Sequence, residues 1–283
     1  MTLTPTRAIL DEARAAGRGA GAFNVVHLET AEALAGAAEA SGLPVILQLS
    51  ENCIRFHGAL EPIALATLAI AEASTARIAV HLDHAEDAEL ALHAIDRGFG
   101  SVMYDGAKLD FADNVATTRR VVASAHAAGV LVEAELGEIG GKDGAHAPGV
   151  RTDPGEAARF VAETGVDALA VAVGSSHAMI ERTAAIDLDL VRALAAAVPV
   201  PLVLHGSSGV PDETIVLGIR AGLTKINVST HLNAGYTAAI REYLARHPAV
   251  VDSRKYVAAG RTAVEREAAR LLTLFASSTK ENG

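Results

Sequence analysis

The chain has 283 residues, of which 50% are hydrophobic, and its 34 aspartate and glutamate residues outnumber 24 lysine and arginine residues for a formal net charge of -10. A chain of this length and composition can bury a sizeable core, and its acidity argues against nucleic acid or an anionic membrane as the main partner. Because Cys53 is the single cysteine and the N-terminus lacks an apolar signal core, an internal disulfide framework is excluded and we expect a cytoplasmic protein.

Along the chain, short apolar runs rich in β-branched residues alternate with longer alanine-rich stretches of helical period. Eight runs predict strands: GAFNVV from Gly21, PVILQLS from Pro44, RIAVHLDH from Arg77, SVMYDG from Ser101, LVEAELG from Leu131, ALAVAVG from Ala168, PLVLHG from Pro201 and KINVST from Lys225. The stretches between them predict helices, several of which end on glycine as helix C-termini do. After the eighth run, residues 234–276 predict closing helices, whose amphipathic surface also suits a subunit contact.

Strands that alternate with helices pair in parallel through right-handed crossovers. Eight such units predict an α/β fold, a closed (β/α)8 TIM barrel with additional C-terminal helices, as a single domain over residues 1–283. The alternative is an open doubly wound sheet, but no glycine-rich dinucleotide fingerprint follows the first strand. The glycine-rich stretch 137–153 predicts a mobile loop that can close over a site.

Polar side chains gather at the predicted C-terminal ends of the strands, which is where a barrel builds its sites. They are Asn24, Ser50, Asp83, His84, Asp105, Glu133, Glu135, His205 and Asn227, with His177 just beyond the sixth strand. A helix cap or a satisfied buried histidine explains any one of them. Caps alone do not explain such a group at most of the strand ends, so we predict a functional site at this mouth.

Three of these residues, His84, His177 and His205, are histidines from three different strand ends. A barrel mouth brings such ends together, and three neutral imidazoles with open positions describe a catalytic Zn²⁺ site. In the alternative interpretation there is no metal site, His205 is a polar core residue and His177 is a loop residue. Asp83 suits an acid or base next to the metal, or else it merely orients a histidine. His81 fits the barrel interior better than the ligand set.

Two loops at the predicted mouth carry residues suited to an anion. HGSSG (205–209) follows the seventh strand, and NVST (227–230) ends the eighth. Glycine and small hydroxyl residues let backbone N–H groups approach an anion, and barrels commonly hold phosphate at these two loops. The sequence therefore predicts a phosphate site.

Five successive motifs carry a family resemblance: IAVHLDHA, VEAELGEIGG, ALAVAVGSSH, LVLHGSSG and KINVST. They closely resemble the motifs of the class II, zinc-dependent fructose-bisphosphate and tagatose-bisphosphate aldolase family. The resemblance runs from about Gly21 to the SRKYVAAGRTAV region (253–264), and the first two motifs are specific to the family. It implies a homodimer or homotetramer that reversibly cleaves a ketose bisphosphate, such as fructose 1,6-bisphosphate or tagatose 1,6-bisphosphate, to dihydroxyacetone phosphate and an aldehyde.

The resemblance also implies roles for individual residues. The family's zinc ligands fall on His84, His177 and His205. Its aspartate that handles the proton of the C4 hydroxyl falls on Asp83, and a second divalent or a monovalent cation has a place in relatives at Asp105 and Glu135. The pocket and the dihydroxyacetone phosphate site map onto Asn24, Ser50, Ala178, Gly206, Ser207, Ser208, Asn227, Val228, Ser229 and Thr230.

The residue types agree with this chemistry. Zinc polarises a ketone carbonyl, and neutral histidine ligands leave the ion most of its positive charge. In the cleavage direction Asp83 takes the hydroxyl proton, the C3–C4 bond breaks and the aldehyde leaves. A lysine Schiff base is not required, and only Lys225, at a strand start, offers one among these positions.

Three features depart from the family pattern. The family usually places a glutamate late in the mobile loop to abstract the ketose proton, where this chain has Lys142 and Asp143; we assign the role to Asp143, which is one methylene shorter. Ala178 replaces a glycine that is common in relatives, and its methyl group crowds the phosphate while its N–H is kept. Arg55 and His57 lie where the distal end of a substrate can reach, although a surface salt bridge is the alternative for Arg55.

Three other functions remain open. One is the same mechanism with a non-glycolytic aldehyde, such as a semialdehyde from inositol or sugar-acid breakdown. Another is a non-catalytic relative that binds metal and sugar phosphate; the shortened Asp143 favours it, while the intact Asp83 and the three histidines argue against it. The third is a zinc hydrolase on the same fold, which would leave the two phosphate loops without a role.

Overall fold

The computed structural model describes residues 3–136, 151–175 and 181–277 and contains a closed barrel of eight parallel strands in sequence order. The strands are β1 (Ala20–Asn24), β2 (Val45–Ser50), β3 (Ile78–Ala85), β4 (Ser101–Tyr104), β5 (Leu131–Leu136), β6 (Ala168–Val171), β7 (Leu202–Leu204) and β8 (Leu223–Val228). β1 pairs with both β2 and β8, which closes the barrel. The predicted TIM barrel is confirmed, and the open doubly wound sheet, which would have two edges, is excluded.

The helices surround the barrel and follow cap residues in the sequence. The described helices are α1 (Thr6–Ala15), α2 (Leu28–Ser41), α3 (Glu51–His57), α4 (Leu60–Ala73), α5 (Ala88–Asp96), α6 (Phe111–Ala127), α7 (Pro154–Thr164), α8 (Leu188–Ala197), α9 (Asp212–Ala221), α10 (Thr230–Arg246) and α11 (Ser253–Ser277). Side chains that accept a first-turn N–H group begin five of them: Ser50, Asp87, Asp110, Asp153 and Asp187. Within the described ranges, no single helix is long and apolar enough to cross a membrane; α3 and α4 meet that test only together, and they are bent by 112°.

Two apolar layers hold the barrel together. Valine, leucine and isoleucine side chains fill the layer between the strands and the helices. A second cluster lies inside the barrel and consists of Ile9, Leu10, Ala20, Ala22, Ile46, Ala79, Met103, Leu131, Ala168, Ala170 and Val203. Ile9 and Leu10 belong to α1, which therefore closes the N-terminal end of the barrel. Because five members of this cluster are alanines, the middle of the barrel has room for longer polar side chains.

Two regions differ from the sequence predictions, and a third lies mostly outside the described residues. α1 is absent from the predicted elements. The closing helices begin at Thr230, four residues before the predicted 234, because the chain turns from β8 into α10 at Ser229 (φ -132°, ψ -71°) without an intervening loop. The NVST segment thus ends at a helix N-terminus. The predicted mobile loop 137–153 lies outside the described residues except for its last three.

Asp167, just before β6, joins three elements at the closed end of the barrel. Its carboxylate accepts the N–H of Val132 at 2.9 Å, contacts Nε2 of His126 at 2.9 Å and accepts a hydrogen bond from the Arg7 guanidinium of α1. Burial alone raises the pKa of Asp167, but these donors outweigh it, so the pKa lies below the usual 3.8. A carboxyl with a lowered folded-state pKa stabilises the fold above its unfolded-state pKa and loses that effect as the pH falls through the folded-state pKa.

We therefore expect Asp167→Asn to lower the free energy of unfolding by about 1–3 kcal/mol at pH 7, since it removes the charge from three hydrogen bonds. The difference from the wild type should shrink as the pH falls below about 4. Urea unfolding at pH 7 and at pH 3.5 measures both. Asp189→Asn is the control, because the Asp189 side chain is 95% exposed, and it should stay within about 0.5 kcal/mol of the wild type. A cost for Asp167→Asn that persists unchanged at pH 3.5 would contradict the assignment.

Candidate active site

The end of β3 departs from regular strand geometry at Asp83 and His84. Successive side chains of a regular strand point to opposite faces. Here the pairing with β4 shifts register between Leu82 and Ala85, and His84 has a φ of 48°, the only positive φ of a non-glycine residue in the described ranges. The irregularity lets both side chains reach the mouth, where Asp83, His84 and His205 each offer an atom within 4.8 Å of the others. Strained backbone of this kind concentrates at functional sites.

Two imidazole rings face each other at the mouth. His205 follows β7 and is fully buried, whereas the His84 side chain is 14% exposed. Nε2 of His84 lies 2.7 Å from Nδ1 of His205. The outer nitrogens contact carboxylates, with 2.8 Å between His84 Nδ1 and Asp105 Oδ2 and 3.0 Å between His205 Nε2 and Glu133 Oε1. A carboxylate at the outer nitrogen accepts its N–H and leaves the inner nitrogen as a lone-pair donor.

The facing ring nitrogens fit a bound cation. At 2.7 Å the two nitrogens are within hydrogen-bond distance, so one of them carries a proton, which a metal ion bound to both rings would replace. Imidazole nitrogens are preferred ligands of Zn²⁺ and other transition metals. Asp83 adds a carboxylate to this group, and Asp105 and Glu135 form a second possible ligand group with His84. The ligand atoms of Asp83, His84 and His205 therefore suit one divalent cation. The carboxylates of Asp105 and Glu135 lie where a second cation could bind.

Amide groups hold the Asp83 carboxylate from two sides. Asn24 donates from Nδ2 to Oδ2 at 2.9 Å, and Asn227 donates from Nδ2 to Oδ1 at 3.4 Å. Gln48, which is fully buried, donates from Nε2 to Asn24 Oδ1 at 3.1 Å. Because an amide that accepts at its oxygen must turn its nitrogen the other way, Gln48 aims the Asn24 amide nitrogen at Asp83.

The charge state of Asp83 follows from its neighbours. Burial raises the pKa of Asp83, but the nearby rings of His84 and His205, the Lys225 ammonium and the Asn24 amide outweigh it and lower the pKa to about 2. The carboxylate is therefore ionised at neutral pH. It can accept a proton there but has none to donate.

The loop after β7 lies against the start of α10. Gly206 has a φ of 67°, in the left-handed region that favours glycine. The Ser207 hydroxyl donates to the backbone carbonyl of Asn227, and the His231 N–H donates to Ser208 Oγ at 3.2 Å. These contacts join the two predicted phosphate loops into one surface beside the histidines.

A fully buried polar layer crosses the barrel beneath the mouth. Lys225 Nζ lies 2.7 Å from Glu133 Oε2 and 3.3 Å from His81 Nε2, and His81 Nδ1 contacts Ser101 Oγ at 2.7 Å. Burial and the Lys225 charge lower the pKa of His81 well below 6.5, so this ring is neutral. The other oxygen of Glu133 contacts His205, which connects the polar layer to the mouth.

Comparison with known proteins decides the family. The family model described as "Fructose-bisphosphate aldolase class-II" matches residues 4–280. The chain belongs to this family. A fructose-bisphosphate aldolase from Thermus caldophilus is 40% identical to it, over 95% of this chain and 96% of the relative, and one from Geobacillus stearothermophilus is 38% identical over 99% of each. The crystal structure of the YdjI aldolase from Escherichia coli K12 matches with a TM-score of 0.86 and 30% identity over 98% of each chain.

The resemblance inferred from the five motifs is thus confirmed. As a class II aldolase, the chain is a carbon–carbon lyase of a family that is generally metal-dependent and acts on phosphorylated sugars. The aldolase mouth brings together most of the predicted site residues: Asn24, Asp83, His84, Asp105, Glu135, His205, Gly206, Ser207, Ser208 and Asn227.

The other predicted residues that the structure describes also lie at or just beyond strand ends, and Ser50 is in register with Asp83. Ser50 accepts the Cys53 N–H at its Oγ and is the N-cap of α3. Val228 ends β8 and is buried, and Ser229 and Thr230 form the junction with α10. His177, Ala178, Lys142 and Asp143 lie outside the described residues, so their roles stay predictions.

Arg55 forms a surface salt bridge, which was the alternative to a contact with the substrate. Its guanidinium pairs with Glu51 one helical turn away, and its side chain is 63% exposed. Glu51 Oε2 also accepts the N–H of Glu86 at 2.7 Å, which ties α3 to the loop after β3. His57 Nε2 lies 2.8 Å from the Val26 carbonyl oxygen. Both side chains thus have structural partners in this aldolase.

Sequence reasoning missed two functional features of the aldolase mouth. Gln48 received no role, although a glutamine inside the apolar run VILQLS is a visible anomaly. Glu133 and Lys225 were noted separately, and the sequence places them 92 positions apart without a sign that they pair. The prediction that His81 lies in the barrel interior agrees with its complete burial.

Proposed function

We propose that the protein is a zinc-dependent class II aldolase that reversibly cleaves a ketose bisphosphate, such as fructose 1,6-bisphosphate or tagatose 1,6-bisphosphate, to dihydroxyacetone phosphate and an aldehyde. The observation that carries this proposal is the group formed by Asp83, His84 and His205, whose ligand atoms lie within 4.8 Å of one another beside the joined loops of β7 and β8. A metal and a phosphorylated ketose would meet at this point.

His84 and His205 are the proposed zinc ligands, with His177 as the third. The close approach of the two ring nitrogens, 2.7 Å apart, supports this assignment. When bound, zinc polarises the ketone carbonyl and stabilises the negative charge that develops on its oxygen. Asp105 and Glu135 are the proposed positions for a second divalent or a monovalent cation, supported by their grouping with His84.

Asp83 is the proposed acceptor of the C4 hydroxyl proton in the cleavage direction. Its lowered pKa, about 2, keeps it ionised at neutral pH, and the amide groups of Asn24 and Asn227 orient both of its oxygens. In the reverse direction Asp83 returns the same proton to the new hydroxyl. Asp143 is the proposed base for the other proton, which leaves the ketose carbon in the synthesis direction.

The phosphate of the substrate is proposed to bind between the β7 loop and the start of α10. Gly206, Ser207 and Ser208 would supply backbone N–H groups from one side and Asn227 to Thr230 from the other, with Ala178 as a further N–H donor. Support comes from the Thr230 start of α10, since a helix N-terminus directs free N–H groups toward an anion.

We also propose that the chain is one domain over residues 1–283 and forms a cytoplasmic homodimer or homotetramer. In support, only Leu232 of the 17 residues of α10 is buried within the described part of the chain. The outer surface of this helix is thus available for a subunit contact.

The half-reaction tests this function without knowledge of the aldehyde. Zinc-loaded protein in D₂O should exchange the C3 proton of dihydroxyacetone phosphate, seen as loss of its proton NMR signal, and a chelator should stop the exchange. Asp143→Ala should slow it about 100-fold or more if Asp143 is the base. Absence of exchange despite bound zinc would contradict the proposal and favour a different donor substrate or a non-catalytic relative.

A further inference from the structure

The buried pair of Glu133 and Lys225 is not used by the proposed mechanism. Both side chains have no solvent exposure, and Lys225 Nζ lies 2.7 Å from Glu133 Oε2. A buried ion pair is no better for stability than a well-packed apolar pair of the same size, because desolvation of both charges offsets their attraction. Stability alone therefore does not explain why charges stand at the centre of the barrel.

The pair contacts the proposed zinc ligand His205. Glu133 Oε1 lies 3.0 Å from His205 Nε2, while His205 Nδ1 faces His84. We propose that Glu133 is a positioning residue that keeps the proton of His205 on Nε2, so that the lone pair of Nδ1 is directed toward the metal. This inference rests on the proposed function only in taking His205 as a zinc ligand.

A second neighbour of His205 favours the opposite tautomer. The Nδ2 group of Asn227 lies 3.2 Å from the same Nε2. This NH₂ group points toward His205 and Asp83 because the Asp83 carboxylate requires a donor at 3.4 Å. An amide donor at Nε2 favours an unprotonated Nε2 and moves the ring proton to Nδ1, where it would block the metal. The charge of Glu133 decides the competition, because a hydrogen bond to a carboxylate is roughly twice as strong as one between neutral groups.

Lys225 holds that carboxylate in place. Its ammonium contacts Glu133 Oε2 on one side and the unprotonated Nε2 of the neutral His81 ring on the other. His81 in turn contacts Ser101 at 2.7 Å, and Ser101 contacts Thr6 of α1 at 2.8 Å. The Lys225 ammonium, 2.7 Å away, offsets the cost of burying the Glu133 carboxylate, since an unpaired carboxylate in the barrel interior is costly.

The test uses the double variant Glu133→Gln/Lys225→Met, which removes both charges together and leaves no unpaired buried ion. Zinc affinity is measured by competition with a chromophoric chelator. We expect binding about 10- to 100-fold weaker than in the wild type, the usual effect of losing a carboxylate behind a histidine ligand. Ser101→Ala is the matched control within the polar layer, since it touches neither ring of the histidine pair, and its affinity should stay within threefold of the wild type.

A second measurement needs no variant of the pair. Nitrogen-15 NMR of histidine-labelled wild-type protein without metal reports which ring nitrogen of His205 carries the proton, with signals assigned by their loss in His205→Gln. We expect the proton on Nε2. A proton on Nδ1, or a double variant that binds zinc as tightly as the wild type, would overturn the inference. If the wild type bound no zinc at all, the proposed function would fail, while the NMR result would still show whether His205 carries its proton on Nε2, as the inference requires.

Discussion

Replacing His205 with alanine is expected to lower aldol cleavage at least about 1,000-fold, since a metal ion stabilises the charged transition state by several kcal/mol and each 1.36 kcal/mol is a factor of ten. Removal of metal from the wild type with a chelator should have the same effect. The two differ in recovery, because added zinc should restore the stripped wild type and leave His205→Ala inactive. Coupled assays of fructose 1,6-bisphosphate cleavage at matched free zinc measure both.

His93→Ala is the control for this experiment. His93 lies on α5, its side chain is 41% exposed, and it contacts Glu61 at 3.0 Å. Its zinc content and cleavage rate should match those of the wild type. Full zinc occupancy in active His205→Ala would remove His205 from the ligand set and support its alternative role as a polar core residue.

Asp83→Asn is expected to lower cleavage by about 100- to 10,000-fold, the usual range for loss of a general base. The substitution keeps the size of the side chain and removes only its charge and its ability to take a proton. Exchange of the C3 proton of dihydroxyacetone phosphate should survive, because Asp83 is assigned to the hydroxyl proton and not to that one. The measurement compares both rates on the same zinc-loaded preparation.

Zinc content separates two roles for Asp83. Its carboxylate lies within ligand distance of the two histidines, so the structure also allows it to bind the metal. Unchanged zinc affinity in Asp83→Asn would support the proton-transfer role, and a large loss would make Asp83 a ligand. Asp187→Asn serves as the control, because Asp187 caps α8 by accepting the Leu190 N–H at 3.0 Å and asparagine caps equally well.

The barrel could be predicted from the sequence because its strands are short β-branched runs at regular spacing. Such runs are recognised from the local pattern of apolar residues alone. α1 could not be predicted in the same way. Only Ile9 and Leu10 are its fully buried apolar residues, and their burial depends on the open end of a barrel that the sequence does not display. The start of α10 was predicted too late for a similar reason, since Ser229 turns from strand to helix in a single residue.

The sequence predicts the site residues that lie at strand ends. It does not predict which side chains contact each other across the barrel interior. Asp83 and His84 lie at the end of β3 and His205 directly follows β7, so the barrel prediction placed them together. Gln48 and Lys225 lie inside strands, and their partners are set by which side chains meet in the interior. Side-chain alternation gives the inward direction of such residues but does not say which opposite residue they touch.

The bulge at the end of β3 has a consequence for protein design. A designer who transfers the two histidines and Asp83 to another barrel with regular strands would keep the residue identities and lose the site, because Asp83 and His84 would then project to opposite faces. The graft must therefore carry the extra residue between Leu82 and Ala85 and the left-handed backbone of His84 (φ 48°). That conformation costs roughly 1–2 kcal/mol for an L-residue, so the recipient scaffold needs stability in reserve.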